Sequence, residues 1–277
     1  MKALVLDKLL QQLKERGREK GTSSDLLEFY EELLRIEFEA EERLGVAKVA
    51  LKSEFARKRL EEGLPLLELD KLELDLSYFK EVFSKVAATF LKYRHLLNPF
   101  PETFNVEELT PLELKGMLEA WFEGKREYPL SDILQAALKP FLSSYRRALA
   151  CFVSQESWRR GYCPICGGAP DFAFLEEESG ARWLVCSSCD FEWLFQRLEC
   201  PGCGNTDQNL LGYFTDEEGR YRLYICEECK GYLKALDLRH FEAEFSPILE
   251  RFFTLDMDLQ AREKGYQPCS YLAKSLG

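Results

Sequence analysis

Eight cysteines in the C-terminal half of this 277-residue chain fall into four Cys-x-x-Cys pairs: Cys163/Cys166, Cys186/Cys189, Cys200/Cys203 and Cys226/Cys229. Two residues between cysteines let a tight turn aim both sulfurs at one point about 2.3 Å from a metal ion. Gly167 and Gly204, which follow the first and third pairs, permit the positive φ that turns backbone amides toward the thiolates. A single such pair is weak support for a metal, but four with matched spacing read as two four-sulfur sites. Sequential grouping, which needs only local contacts, assigns Cys163, Cys166, Cys186 and Cys189 to one ion and Cys200, Cys203, Cys226 and Cys229 to a second; crossed grouping would require interleaved hairpins. A shell closed by four thiolates has no open position for water or substrate, so both sites are expected to be structural. Sulfur-only tetrahedral donors suit zinc and iron alike. Cys151 and Cys269 stand outside these groups: Cys151 reads as a small core residue of a kinked helix and Cys269 lies in the tail, and with the other eight bound to metal these two are the thiols expected to react.

The segments between the paired cysteines must bring each group together. Phe172 and Phe174, then Gly180, then Trp183 and Val185 form a hairpin pattern that recurs in Leu211, Tyr213, Gly219, Tyr221, Leu223 and Ile225, the first knuckles of the two repeats standing 37 residues apart. Each repeat therefore reads as knuckle, hairpin, knuckle, over 161–198 and 199–240. Upstream the apolar period changes to that of helices. Leu26, Phe29, Leu33, Ile36, Ala40 and Leu44 share one face of a helix over Ser24–Leu44, capped by Ser24 or Asp25 and stopped by Gly45. A second helix starts near Ser77 and ends before Asn98-Pro99; a third opens on the capping box Thr110-Pro111-Leu112-Glu113 and closes at Gly124. A fourth runs from Ser131 to about Arg160 with Pro140 kinking it. Gly63–Leu76 alternates partly and reads as either a strand or an extended connector. The expected architecture is thus a mainly α N-terminal domain (1–160), a small α+β domain of two tandem rubredoxin-like or zinc-ribbon-like units (161–240), and a C-terminal helix and tail (241–277).

Composition excludes several classes of function. A hydrophobic content of 46% suffices for a full core. The opening segment MKALVLDKLLQQLKERGREK carries charges within reach of every apolar stretch, so neither a signal peptide nor a membrane span is expected, and the protein is placed in the cytoplasm. In that compartment thiols stay reduced, which favours metal over disulfides. A net charge of −11 opposes phosphate neutralisation, and between Cys151 and His240 nine Lys/Arg face fifteen Asp/Glu, so no nucleic acid is expected as partner. The chain has only His95 and His240, and no catalytic or cofactor-binding constellation beyond the metal ligands is read from it. A thioredoxin-type redox protein would place one Cys-x-x-Cys at a helix start after a strand, whereas here glycine and a hairpin follow. A zinc-ribbon module for protein or nucleic acid is the other alternative.

The motif order itself resembles a family. Cys163-Pro164-Ile165-Cys166-Gly167, Pro170, Gly180-x-Arg182-x-Leu184-x-Cys186-Ser187-x-Cys189-x-x-Glu192-Trp193-x-x-x-Arg197-x-x-Cys200-x-x-Cys203, then Cys226-x-x-Cys229-x-Gly231-Tyr232-Leu233-Lys234 and Glu263-Lys264-Gly265-Tyr266 resemble the FdhE-type formate dehydrogenase accessory proteins. The resemblance implies a non-catalytic maturation factor that binds the catalytic subunit of a molybdenum or tungsten formate dehydrogenase, with iron in rubredoxin-like sites, and leaves a homodimer open. Glu192, Trp193 and Arg197, lying between the repeats, are the candidate partner-binding residues, with packing of the repeats as the competing role for Trp193.

Overall fold

Side-chain caps start three of the N-terminal helices. The computed structural model describes residues 2–68, 72–97, 100, 109–122, 125, 129–241 and 244–269. Its helices are α1 (Lys2–Glu19), α2 (Ser24–Leu44), α3 (Ser53–Glu61), α4 (Leu76–Lys92), α5 (Pro111–Phe122) and α6 (Leu130–Leu149). Ser23 Oγ accepts from Leu26 N at 3.4 Å at the start of α2, one residue before the expected cap, and Gly45 ends it at φ +64. Asp75 Oδ1 accepts from Ser77 N and Tyr78 N, both at 3.0 Å, at the start of α4. At α5, Thr110 N donates to Glu113 Oε2 at 2.8 Å and Glu113 N donates to Thr110 Oγ1 at 3.2 Å, satisfying two backbone donors that a helix start leaves open. Asn98-Pro99 and Gly124 lie outside the described residues.

The chain divides into two compact units, Met1–Lys48 with Glu68–Arg147, and Val49–Leu67 with Ala148–Gly277. This division differs from a boundary at residue 160: α3, the 64–67 segment and the residues after α6 belong with the cysteine-rich part. In the first unit α4 buries Phe79, Val82, Phe83, Val86, Ala87 and Phe90. In α6, Ile133, Leu134, Ala137, Leu138, Phe141 and Leu142 are buried. That helix runs through Pro140 but ends at Leu149, well short of Arg160. Its continuation is given up to edge pairing, because Gln155 Nε2 donates to Glu192 O at 3.2 Å and Gln155 Oε1 accepts from Leu194 N at 3.1 Å.

The second unit is organised by one mixed seven-stranded sheet: β1 (Pro170–Leu175), β2 (Arg182–Cys186), β3 (Glu192–Phe195), β4 (Leu211–Thr215), β5 (Tyr221–Cys226), β6 (Gly231–Asp237) and β7 (Gln267–Pro268). The order is β3-β2-β1-β6-β5-β4, with β7 also on β6. The expected hairpins are β1–β2 and β4–β5, and each repeat adds a third strand after its second knuckle. The repeats then fuse through parallel pairing of β1 with β6, Phe172 opposite Lys234. Paired on both edges, β6 is buried along its whole length. Phe172, Phe174, Val185, Tyr221 and Leu236 form a core cluster beside it. The C-terminal helices α7 (Pro247–Phe253) and α8 (Leu255–Glu263) are tied to the sheet through polar contacts: Tyr221 Oη donates to Glu250 Oε2 at 2.6 Å, and Lys234 Nζ to Asp258 Oδ2 at 2.5 Å. Among the described residues no helix is long and apolar enough to cross a membrane.

Candidate metal centres

Each knuckle is a turn closed by its own backbone. Cys163 N donates to Gly168 O at 2.8 Å and Gly167 N to Cys163 O at 2.9 Å; in the third knuckle Cys200 N donates to Asn205 O at 2.9 Å and Gly204 N to Cys200 O at 2.8 Å. Gly167 and Gly204 sit at φ +72 and +75, and the residues in the same place after the second and fourth knuckles, Asp190 and Lys230, take φ 56 and 54 without being glycine. All four knuckles therefore share one left-handed residue after the second cysteine, although glycine marks it in only two.

The turns deliver the sulfurs in two groups, Cys163, Cys166, Cys186 and Cys189, and Cys200, Cys203, Cys226 and Cys229, each with all sulfurs within 4.8 Å of one another. Cys163 and Cys189 lie 3.6 Å apart, Cys166 and Cys186 3.5 Å, Cys200 and Cys229 3.7 Å, and Cys203 and Cys226 3.8 Å. A tetrahedral ion about 2.3 Å from every sulfur needs spacings of about 3.8 Å, so both groups have the dimensions and the donor set for one ion each. Burial pushes the Cys163 and Cys189 thiols well above the ordinary range, so a cation among the sulfurs, rather than solvent at neutral pH, is what would deprotonate them.

The two groups differ in their surroundings. Every sulfur of the first is buried, whereas in the second Cys203 is exposed and Cys229 half-buried. Leu66 N and Leu67 N donate to Pro164 O and Ile165 O at 2.9 and 2.8 Å, so the 64–67 part of the Gly63–Leu76 stretch is a connector bent at Leu66 and Leu67 that lies on the first knuckle. A Cβ at Gly168 would come within 3.0 Å of Cys186 Sγ and Ser188 Oγ, which explains glycine there. Arg251 of α7 reaches the same site: it donates to Asp171 Oδ1 at 2.9 and 2.7 Å, to Asp190 Oδ1 at 2.5 Å and to Cys186 O at 2.8 Å. Burial works against its charge, but the two carboxylates outweigh that and hold the guanidinium protonated.

Of the residues between the repeats, Trp193 has no exposed surface and donates Nε1 to Arg160 O at 2.9 Å. Such a side chain packs the sheet, the competing role that the sequence offered for it. Glu192 is half-buried on β3, and Arg197 is exposed between exposed Gln196 and Leu198. Cys151, read from the sequence as a small core residue of the kinked helix, is instead exposed in the short turn after α6, while Cys269 is 2% exposed beside the second group, against its expected reactivity. His95 Nε2 pairs with Asp25 Oδ2 at 2.8 Å on the surface and His240 is exposed, so neither adds to a site. Sequence reasoning missed Arg251, Gln155 and the role of Cys269, each of which acts on residues distant in the chain; the only local signal was the alternation in Phe191-Glu192-Trp193-Leu194-Phe195 that marks β3 as a strand in need of an edge partner.

Comparison with known proteins follows the same lines. The family model for the FdhE central domain matches residues 162–197, the first knuckle-hairpin-knuckle repeat. The FdhE homolog of Aquifex aeolicus is 30% identical over 254 residues, covering 88% of this chain and 86% of that one. FdhE of Escherichia coli O157:H7 is 25% identical over 211 residues, 74% of this chain and 67% of its own. The crystal structure of the FdhE protein from Pseudomonas aeruginosa superposes with a TM-score of 0.64 at 24% identity, covering 98% of this chain and 94% of that one, and so shares the fold. Identity that extends over nearly the whole of the Aquifex relative, together with the match across the first metal repeat, shows that this chain belongs to the FdhE family.

Proposed function

We propose that this protein is a formate dehydrogenase accessory protein that acts by binding, with no reaction of its own. The client is the catalytic subunit of a molybdenum or tungsten formate dehydrogenase, met in the cytoplasm during assembly, and each four-cysteine group holds one iron or zinc ion. A single observation carries the reading: all eight knuckle cysteines are consumed in two groups of tetrahedral dimensions in an FdhE-family chain. Four thiolates fill such a shell, so the metal would order the fold rather than activate water. On this reading Arg197 and the half-buried Glu192 present a surface to the client while Trp193 holds the strand beneath them. Affinity capture of the full chain from its native host, followed by mass spectrometry, should recover the formate dehydrogenase catalytic subunit. Deleting the gene should abolish formate oxidation without lowering the client's transcript. Normal formate dehydrogenase activity in a deletion strain lacking any paralogue would defeat the assignment.

A further inference from the structure

The second four-cysteine group has a fifth thiol beside it. After α8 the chain returns along β7, which pairs in parallel with the start of β6, Gly231 opposite Gln267 and Tyr232 opposite Pro268, while Gln267 N donates to Lys230 O at 2.8 Å. Continuing that register places Cys269 beside Leu233, a few residues beyond the Cys226/Cys229 knuckle, and buries it. Cys269, Cys200 and Cys226 line one small cavity of about 30 Å³, and the Cys269 thiol lies within hydrogen-bonding reach of Cys200. Arg182, 2% exposed, lines the same cavity; its Nη2 is held by Glu199 O at 2.6 Å and by Gln196 O, and its Nε has no hydrogen-bond partner. A buried cation with a spare N–H is the group that steadies an added thiolate. The first group has no such arrangement among the described residues: its four sulfurs are buried and stand alone.

Three thiols thus line one cavity at the second site, while of the two others Cys203 is exposed and Cys229 half-buried. From this placement we propose that Cys269 is a reserve ligand of the second site, able to take the coordination position of the exposed Cys203 without release of the ion. The inference rests on the reading of both groups as metal sites. The exchange balances: the Cys269 sulfur gives up its proton as it bonds the metal, and Cys203 takes one up as its bond breaks, so four thiolates remain on the ion. The exchange requires the Cys269 side chain to turn into the cavity, which is roomy enough for a water molecule. Its use is retention of the ion when the exposed ligand is lost to alkylation or oxidation, since an accessible thiolate is the one that reagents reach first.

The test uses the full chain, loaded with cobalt(II), passed over a chelating resin and analysed for metal. Wild type and Cys269→Ala should hold two ions per chain, Cys203→Ala should also hold two with the thiolate-to-cobalt absorption of four sulfurs per ion, and Cys203→Ala/Cys269→Ala should hold one. Should Cys203→Ala aggregate, alkylation of the folded proteins at Cys203, mapped by mass spectrometry, replaces it: wild type keeps the second ion and Cys269→Ala releases it. Loss of one ion from Cys203→Ala, or two ions retained by the double variant, overturns the reserve-ligand proposal alone. Fewer than two ions in wild type overturns the metal reading and this proposal together.

Discussion

Replacing Arg251 by methionine removes the cation that joins α7 to the first knuckle. The side chain is 13% exposed, and its partners Asp190 and Asp171 are 14% and 31% exposed. Breaking a buried ion pair from one side costs about 3–5 kcal/mol, because the remaining charge stays uncompensated. Asp171 can regain part of its hydration, which places the cost near the lower end, about 3 kcal/mol. For a domain of this size each kcal/mol moves the midpoint by about 2–4 °C, so Arg251→Met should lower the melting of the second unit by about 6–12 °C in calorimetry. The same change takes the guanidinium away from Cys186 O and Asp190, so a chelator should strip the first site faster while leaving the second at its wild-type rate. Removing the carboxylates too, in Arg251→Met/Asp171→Leu/Asp190→Asn, should recover at least half of the loss, since an apolar replacement leaves no stranded charge and asparagine tolerates the left-handed backbone at 190. A midpoint shift below about 2 °C in the single variant, or no recovery in the triple, would refute this account of the α7 clasp.

Gln155→Ala should expose the outer edge of β3 by removing two hydrogen bonds, cost about 1–3 kcal/mol and speed amide exchange at Leu194. Gly168→Ala drives a methyl against Cys186 Sγ and Ser188 Oγ, and should destabilise the second unit by about 1–3 kcal/mol while lowering metal retention at the first site only. Acid should release both ions, because protons compete with metal for thiolates as pH falls; the second site, with Cys203 exposed, should empty at a higher pH than the buried first site in a titration followed by thiolate-to-metal absorption.

The knuckles were legible because two-residue spacing is enough to set where both sulfurs of a pair point, and the hairpins because alternating apolar residues flank Gly180 and Gly219, which sit at φ +63 and +70. The third strands were harder. Gly231–Asp237 is buried on both faces, so it lacks the alternation that a half-exposed strand shows, and its pairing with β1 spans some 60 residues of chain. The end of α6 was invisible locally, because Gln155 leaves helical structure for a strand edge that is formed 37 residues later. Cys269 looked like a tail residue for the same reason: only the two-residue β7 pairing shows that the chain returns to the second site. Asp190 and Lys230 hid the shared knuckle geometry, since a left-handed position occupied by a residue other than glycine carries no mark in sequence.

X-ray absorption at the metal edge of the full-length protein, combined with a metal count per chain, tests the central claim most directly. Two ions per chain, each with a first shell of four sulfurs at about 2.3 Å and no lighter scatterer, is the predicted result. A single ion per chain, or a shell containing nitrogen or oxygen, would contradict it.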